Sequence, residues 1–338
     1  MMHVVVGTSA GAFRLDGSAA SAVQGLNSGI VRQVVQSGAN GSTTLLAASS
    51  DGVYRSTDAG RSWQRSAALA GEVWNVAVAP QDARTVYAGT QPAHLYLSRD
   101  AGQSWREVDS FLAAPGAERW CLPNSSAGAR ALALACDPFD PRRLWVGLEV
   151  GGVVTTHDEG GHWSASIPCG NADVHPLAAH PRRPGVLFAT TGYGRNDDAP
   201  MDPRLAGPYR SDDGGASWQY LGQQMRPHYT RPMCIDPRPP HVLTVPAVPD
   251  VRSSVNDEGG AQAMLYRSED EGATWRSLGD AAHSPSAERL TAVTPDPEQA
   301  GGVLVGTETG EVWRVSPDAV WTRLAEGLPA VQSLLALA

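Results

Sequence analysis

The apolar residues of this chain come in short runs rich in Val, Tyr and Trp, broken by clusters of Gly and Asp. That is the pattern of strands joined by tight turns rather than of helices. VYAGT (86–90) and HLYLS (94–98) form one such pair, and VLVGT (303–307) and EVWRVS (311–316) another. A further run ending at a proline precedes each pair, as in WNVAVAP (74–80), ALALACDP (131–138), HPLAAHP (175–181), RPMCIDP (231–237) and RLTAVTP (289–295). With a last strand after a recurring tryptophan, every unit has four strands.

The tryptophan closes an eight-residue box, [S/T]-x-D-x-G-x-[S/T/H]-W, that appears five times. It is centred on Asp58, Asp100, Asp158, Asp213 and Asp270 and ends at Trp63, Trp105, Trp163, Trp218 and Trp275. Five copies in one chain mark a repeat architecture. Four-stranded units in tandem predict a β-propeller, an all-β fold in which each unit is a blade. Complete units begin near Ile30, Val73, Ala131, Val174, Tyr229 and Arg289. The first segment, HVVVGT, AFRLD and AVQGL (3–26), lacks an inner strand, and VQSLLALA (331–338) has that strand's pattern. The expectation is therefore one domain over 1–338: seven antiparallel four-stranded blades, with the C-terminal strand joining the N-terminal blade.

The box reads as a fastener. Its Gly suits a positive-φ turn, its Asp accepts from backbone N–H groups inside the turn, and the hydroxyl and a buried indole tie the turn to the blade. On these residues the chain resembles the Asp-box or BNR-repeat propellers: sialidases, the sortilin ectodomain, xyloglucan-cleaving hydrolases and photosystem II assembly factors. The resemblance implies a fold, with the box lying away from the ligand, and leaves the activity open. It weakens in the first and last blades, where the box is absent or worn and Ser316, Asp318 and Trp321 keep only fragments of it. Sialidases carry an arginine triad, a Tyr/Glu pair and an R-I-P motif on six blades. This chain has no R-I-P and a seven-blade count, so sialidase activity is not expected.

Composition narrows the function. A net charge of −9 argues against a nucleic-acid groove. All 26 basic residues are arginine, which excludes lysine Schiff-base chemistry and a Gly-Lys-Ser phosphate loop. No apolar stretch reaches the roughly 18 residues of a membrane span. The start, MMHVVVGT, has no signal-peptide pattern, so cytoplasmic residence is expected. Cys121, Cys136, Cys169 and Cys234 lack metal spacing and read as core or loop thiols. No cofactor or metal is expected. Asp197, Asp198 and Asp202 read as a solvated loop, since they lack the calcium-loop pattern.

The candidate site is the mouth of the central channel. Aligned on the terminal proline of each inner strand, Trp74, Leu132, His175, Arg231 and Arg289 share one position, and Glu72, Arg130, Asp173 and Tyr229 lie two residues earlier. Ionisable side chains where aliphatic ones would pack are the unusual feature. Glu149, in the turn LEVGG, points to the same area, and three long loops (111–128, 191–208 and 246–263) should wall it. Two readings stand. One is a binding or scaffold propeller that takes a small molecule, glycan or protein through Arg130, Arg231, Arg289, Trp74, His175 and Tyr229. The other is a glycosidase-like hydrolase or lyase with His175 or Tyr229 as base, Glu149 or Asp173 as acid, and Arg231 holding a carboxylate.

Overall fold

A computed structural model describes residues 2–17, 19–38, 44–122, 125–194 and 202–337. They form seven sheets of antiparallel strands around a channel, a seven-bladed propeller with almost no helix. Blade 2 shows the plan, with its four strands Val31–Gln36, Leu45–Ser49, Gly52–Ser56 and Gln64–Ala67 in sequence order from the channel outwards. Blade 1 is completed from the other end of the chain. Val331–Leu337 pairs with His3–Thr8 as its inner strand, so the ring is closed by the C-terminal strand. No helix among the described residues is long and apolar enough to cross a membrane.

The core lies between neighbouring sheets. One cluster joins Tyr87, Leu95 and Leu97 of blade 3 to Leu134, Leu144 and Val146 of blade 4, and another joins Leu304 and Val312 of blade 7 to Val4 and Val6 of blade 1. Each fully buried aliphatic side chain stabilises this stacking by about 1.5–3 kcal/mol. Cys136 and Cys234 lie in inner strands, and burial pushes the Cys136 thiol up to about 12, as suits a small core residue.

All five boxes form the turn between the third and fourth strands of a blade, and all five share one network. In blade 2 the Ser56 hydroxyl donates to Asp58 Oδ1 (2.8 Å) and accepts from Gly60 N (2.9 Å). Asp58 in turn accepts from Ser62 N (2.9 Å) and from the Ser62 hydroxyl (2.6 Å). In blade 4, His162 replaces the last hydroxyl and its Nδ1 reaches Asp158 Oδ2 at 2.6 Å. The turn needs two consecutive left-handed residues: Ala59 and Gly60 have φ of 58° and 81°. The glycine also has no room for a side chain, since a Cβ on Gly60 would lie 2.8 Å from Val5 of blade 1, and one on Gly102 2.7 Å from Leu46 of blade 2. Each box therefore clamps its blade to the preceding one.

Three expectations are corrected. The box indoles are not uniformly buried: Trp63 is 3% exposed, while Trp105, Trp163, Trp218 and Trp275 are half-buried. The worn box of blade 7 still works, because Ser316 accepts from Val320 N and Trp321 Nε1 donates to the Leu278 carbonyl. The outer strand of blade 1 is Ala19–Ala22, not 22–26, because Gln24 leaves the sheet to pair with Arg61 and Trp63 of the neighbouring box.

Candidate functional site at the channel mouth

Antiparallel alternation puts the starts of the inner strands and the second-to-third-strand loops at one end of the channel, and the box turns at the other. Near its start, each inner strand carries one extra residue against its partner. The register shifts between Val31 and Gln33, Val73 and Asn75, Ala131 and Ala133, Val174 and Leu177, and Leu290 and Ala292. In blade 6 the inner strand is split into Tyr229–Thr230 and Cys234–Ile235 around Arg231 and Pro232. A bulge re-aims the side chain of the extra residue. Arg32, Trp74, Leu132, His175, Arg231, Thr291 and Gln332, one from each blade, line a cavity of about 330 Å³ in the channel.

Four members of the expected ring, Trp74, Leu132, His175 and Arg231, lie on this cavity. Arg289 does not share their position; Thr291 does. The terminal proline equivalent to Pro138, Pro181 and Pro237 is Pro297, not Pro295. The residue before it, Asp296, donates its N–H six residues ahead to Gly302, as Asp137 does to Arg143, His180 to Val186 and Asp236 to Val242. Arg289 thus belongs two residues earlier, with Glu72, Arg130, Asp173 and Tyr229. There its Nη1 donates to the Val251 carbonyl at 2.7 Å, and burial followed by the nearby Arg231 lowers its pKa.

The ionisable groups form a chain around the mouth. Arg32 pairs with Glu72 at 2.6 Å, and the Arg32 and Arg130 guanidinium groups lie 4.0 and 4.1 Å from the centre of the Trp74 ring. Arg130 pairs with Glu149 at 2.5 Å and bonds Gln91 Oε1 at 2.9 Å. Glu149 also faces Arg231 at 3.3 Å, and Arg231 Nε lies 3.4 Å from the Tyr229 hydroxyl. The Tyr229 ring meets His175 edge-on at 5.8 Å between centres and Tyr193 at 4.9 Å. His175 Nδ1 bonds the Thr230 carbonyl at 2.8 Å, and its Nε2 lies 3.4 Å from Asp173 Oδ1, near enough for an ion pair but not aligned for a hydrogen bond.

Burial raises the pKa of the Tyr229 phenol, only partly offset by Arg231, so its hydroxyl is a poor base. Burial also acts to raise the Asp173 carboxyl, but His175 and then Arg231 outweigh it and hold it below the usual range. Arg231 stays charged because Tyr229 and Glu149 outweigh its desolvation.

Two of the three long loops, the one after Thr191 in its described ends, lie beside the mouth. The loop after Val248 is held by Glu308, which accepts from Val255 N, the Ser254 hydroxyl and Arg289 N at 2.7–2.9 Å. The loop after Thr191 is held by Asn171, which donates to the Gly192 carbonyl at 2.7 Å; Asp197 and Asp198 lie outside the described residues. The third loop divides. Its start packs Phe111 against Trp163 and Ser110 on Gly160 of the blade 4 box, and only its later part reaches the mouth, where Cys121 N donates to the Val150 carbonyl. Sequence reasoning missed Arg32, whose bulge position becomes visible only once the strands are paired.

No family model matches the chain. In an alignment of 240 positions that covers 60% of the chain, it is 25% identical to an oligoxyloglucan-reducing end-specific xyloglucanase of Emericella nidulans, of which it spans about a quarter (26%). The GH74 xyloglucanase of Xanthomonas campestris superimposes with a TM-score of 0.69 at 19% identity, over 96% of this chain and 52% of that one. YCF48 from Cyanidioschyzon merolae gives 0.50 at 11% identity, over 74% and 71%. The chain is a seven-bladed propeller with GH74 xyloglucanases among its structural neighbours. At these identities the solved structures speak for the fold, and the chemistry has to be argued from the mouth.

Proposed function

We propose that the chain is a binding propeller that captures an acidic group of a glycan, small molecule or protein segment at the channel mouth, with Arg231 as anchor. The supporting observation is the state of Arg231. Its side chain is 42% exposed, it lines the cavity, and its contacts to Glu149 and Tyr229 are long at 3.3 and 3.4 Å. A guanidinium has five N–H donors, so most of its capacity faces the channel. Arg289 and Arg130 add positive charge beside it. A glucuronate-containing oligosaccharide should bind and be detected by calorimetry, with a neutral xyloglucan oligosaccharide as control. Arg231→Leu should keep the melting temperature and weaken binding at least tenfold, the loss of one charge-assisted bond of about 1.5–3 kcal/mol. Equal binding of both probes, or unchanged affinity in Arg231→Leu, refutes the reading.

The likeness to the Emericella xyloglucanase favours a second reading, a carbohydrate-active hydrolase at the same mouth. The carboxylates are only partly free for it. Oxygens of Glu149 and Asp173 lie within 4.8 Å of each other, close together as in a retaining pair rather than spaced for a water as in an inverting one, but Asp173 sits against His175. Glu149 is also tied to two arginines. Release of new reducing ends from xyloglucan oligosaccharides, abolished by Glu149→Gln or Asp173→Asn, would establish this second reading.

A further inference from the structure

We infer that Glu149, Asp173 and His175 form a binding site for one divalent transition-metal ion beside the channel. The inference is independent of acidic-ligand capture. It rests on three donor atoms, one from each residue, all within 4.8 Å of one another, and on two of them lacking any other partner. His175 is 1% exposed and its Nε2 makes no hydrogen bond; Asp173 is 7% exposed and its Oδ1 makes none. Leaving two such polar atoms buried and unsatisfied is costly.

The geometry says what kind of partner is missing. His175 Nδ1 faces the Thr230 carbonyl, which can only accept, so Nδ1 carries a hydrogen and Nε2 is the nitrogen left to hold a cation. Nε2 lies 3.4 Å from Asp173 Oδ1. The separation exceeds an N–H···O bond, at about 2.7–3.2 Å. It matches the edge of a tetrahedron whose corners lie about 2.0–2.2 Å from a central ion, about 3.4 Å. A cation between the two atoms satisfies both.

The surroundings are those of a ligand set. A metal-binding imidazole commonly donates its other N–H to a backbone carbonyl, which fixes the ring and the tautomer, as Thr230 does here. Arg130 and Arg231 each take one oxygen of Glu149 and orient it, and each oxygen keeps a second lone pair. Gly192 leaves the space: a Cβ there would lie 2.3 Å from Asp173 Oδ2 and 3.0 Å from His175 Nε2. His175 also lines the channel cavity.

One imidazole nitrogen with two carboxylates suits Zn²⁺ or Mn²⁺ better than Ca²⁺, which takes only oxygen ligands. The two arginines offset the two carboxylate charges, so the affinity should be micromolar rather than nanomolar.

The test is calorimetry of the full chain, stripped with a chelator, against Zn²⁺ and Mn²⁺, with metal analysis after gel filtration. The expected result is about one ion per chain. His175→Gln and Asp173→Asn should each weaken binding at least a hundredfold with an unchanged circular dichroism spectrum. Arg231→Leu, which removes a positive charge next to Glu149, should tighten it several-fold. If a ligand variant does not fold, the extended X-ray absorption fine structure of the Zn²⁺-loaded wild type takes its place and should show the outer-shell scattering of one imidazole. Less than a tenth of an equivalent in the wild type, or binding that survives His175→Gln, overturns the site. A wild type that holds no metal yet binds the glucuronate probe would refute this inference alone.

Discussion

Asp58 and Glu149 are both carboxylates at strand ends, at opposite ends of the channel, and they are held in different ways. The partners of Asp58 are Ser56 and Ser62, two and four residues away in the chain. Those of Glu149 are Arg130 and Arg231, 19 and 82 residues away, the second on another blade. A network closed within eight residues can be copied from blade to blade, and it was copied five times. A network that exists only when several blades meet has no unit to copy, so each blade contributes something different. The box end accordingly holds the ring together, and the mouth is where the blades differ from one another.

The largest effect should come from removing what both ends share. Val331–Leu337 pairs along the whole of His3–Thr8 and buries Val331, Leu334 and Leu337 between blades. Deleting 331–338 would leave an open apolar strand edge and remove several contributions of about 1.5–3 kcal/mol each, comparable to the 5–15 kcal/mol that holds a typical protein folded. Gel filtration with light scattering should show aggregates, and the cooperative melt should disappear. A monomeric truncated chain with the wild-type melting temperature would break the seven-blade closure.

Next comes Trp63→Ala, which empties a buried indole site and should cost about 3–5 kcal/mol. Trp105→Ala removes a half-buried ring and should cost about 1–2 kcal/mol. Urea unfolding separates the two, and the folded fraction of each variant should bind the glucuronate probe as the wild type does. Weakened binding in a stable box variant would mean that the two ends are not independent.

The same contrast explains what the sequence disclosed. The box, the blade count and the closing strand were legible because their signals are local or repeated. Glu149, Asp173, His175, Tyr229 and Arg231 could be gathered at one end from strand alternation alone. Their pairings could not, because a bulge is a mismatch between two strands and cannot be seen in either one. Arg289 was misplaced because Pro295 and Pro297 both look like strand ends, and only the hydrogen bond from Asp296 to Gly302 tells them apart. The path of 22–26 was hidden likewise, since Gln24 pairs with a neighbouring box rather than with its own sheet. The exposure of four box indoles depends on which segment of the neighbouring blade covers them, which the motif does not encode.

The smallest effect tests whether the box carboxylates act as local acceptors, and it is read as a pH dependence. At Asp100 and Asp213 the hydrogen bonds from Ser104 and Ser217 lead, and each carboxyl is held at about 2, below its ordinary 3.8. At Asp58 burial acts in the opposite direction, but the Ser62 hydroxyl and N–H outweigh it and the value is again about 2. At Asp158 the bonds from His162 hold the carboxyl well below the usual range. A group whose pKa is lower folded than unfolded contributes stability that is complete above the unfolded value and lost as pH falls through the folded one. The window is therefore about pH 4 down to about pH 2. The urea midpoint should hold steady above pH 5 and fall across that window. Asp100→Asn should lower the midpoint at pH 6, because the amide offers one acceptor oxygen in place of two, and should make the acid-side fall shallower. If the variant kept the wild-type slope between pH 4 and pH 2, Asp100 would not be contributing as a local acceptor. The repeated turn would then be held by its glycine and indole alone.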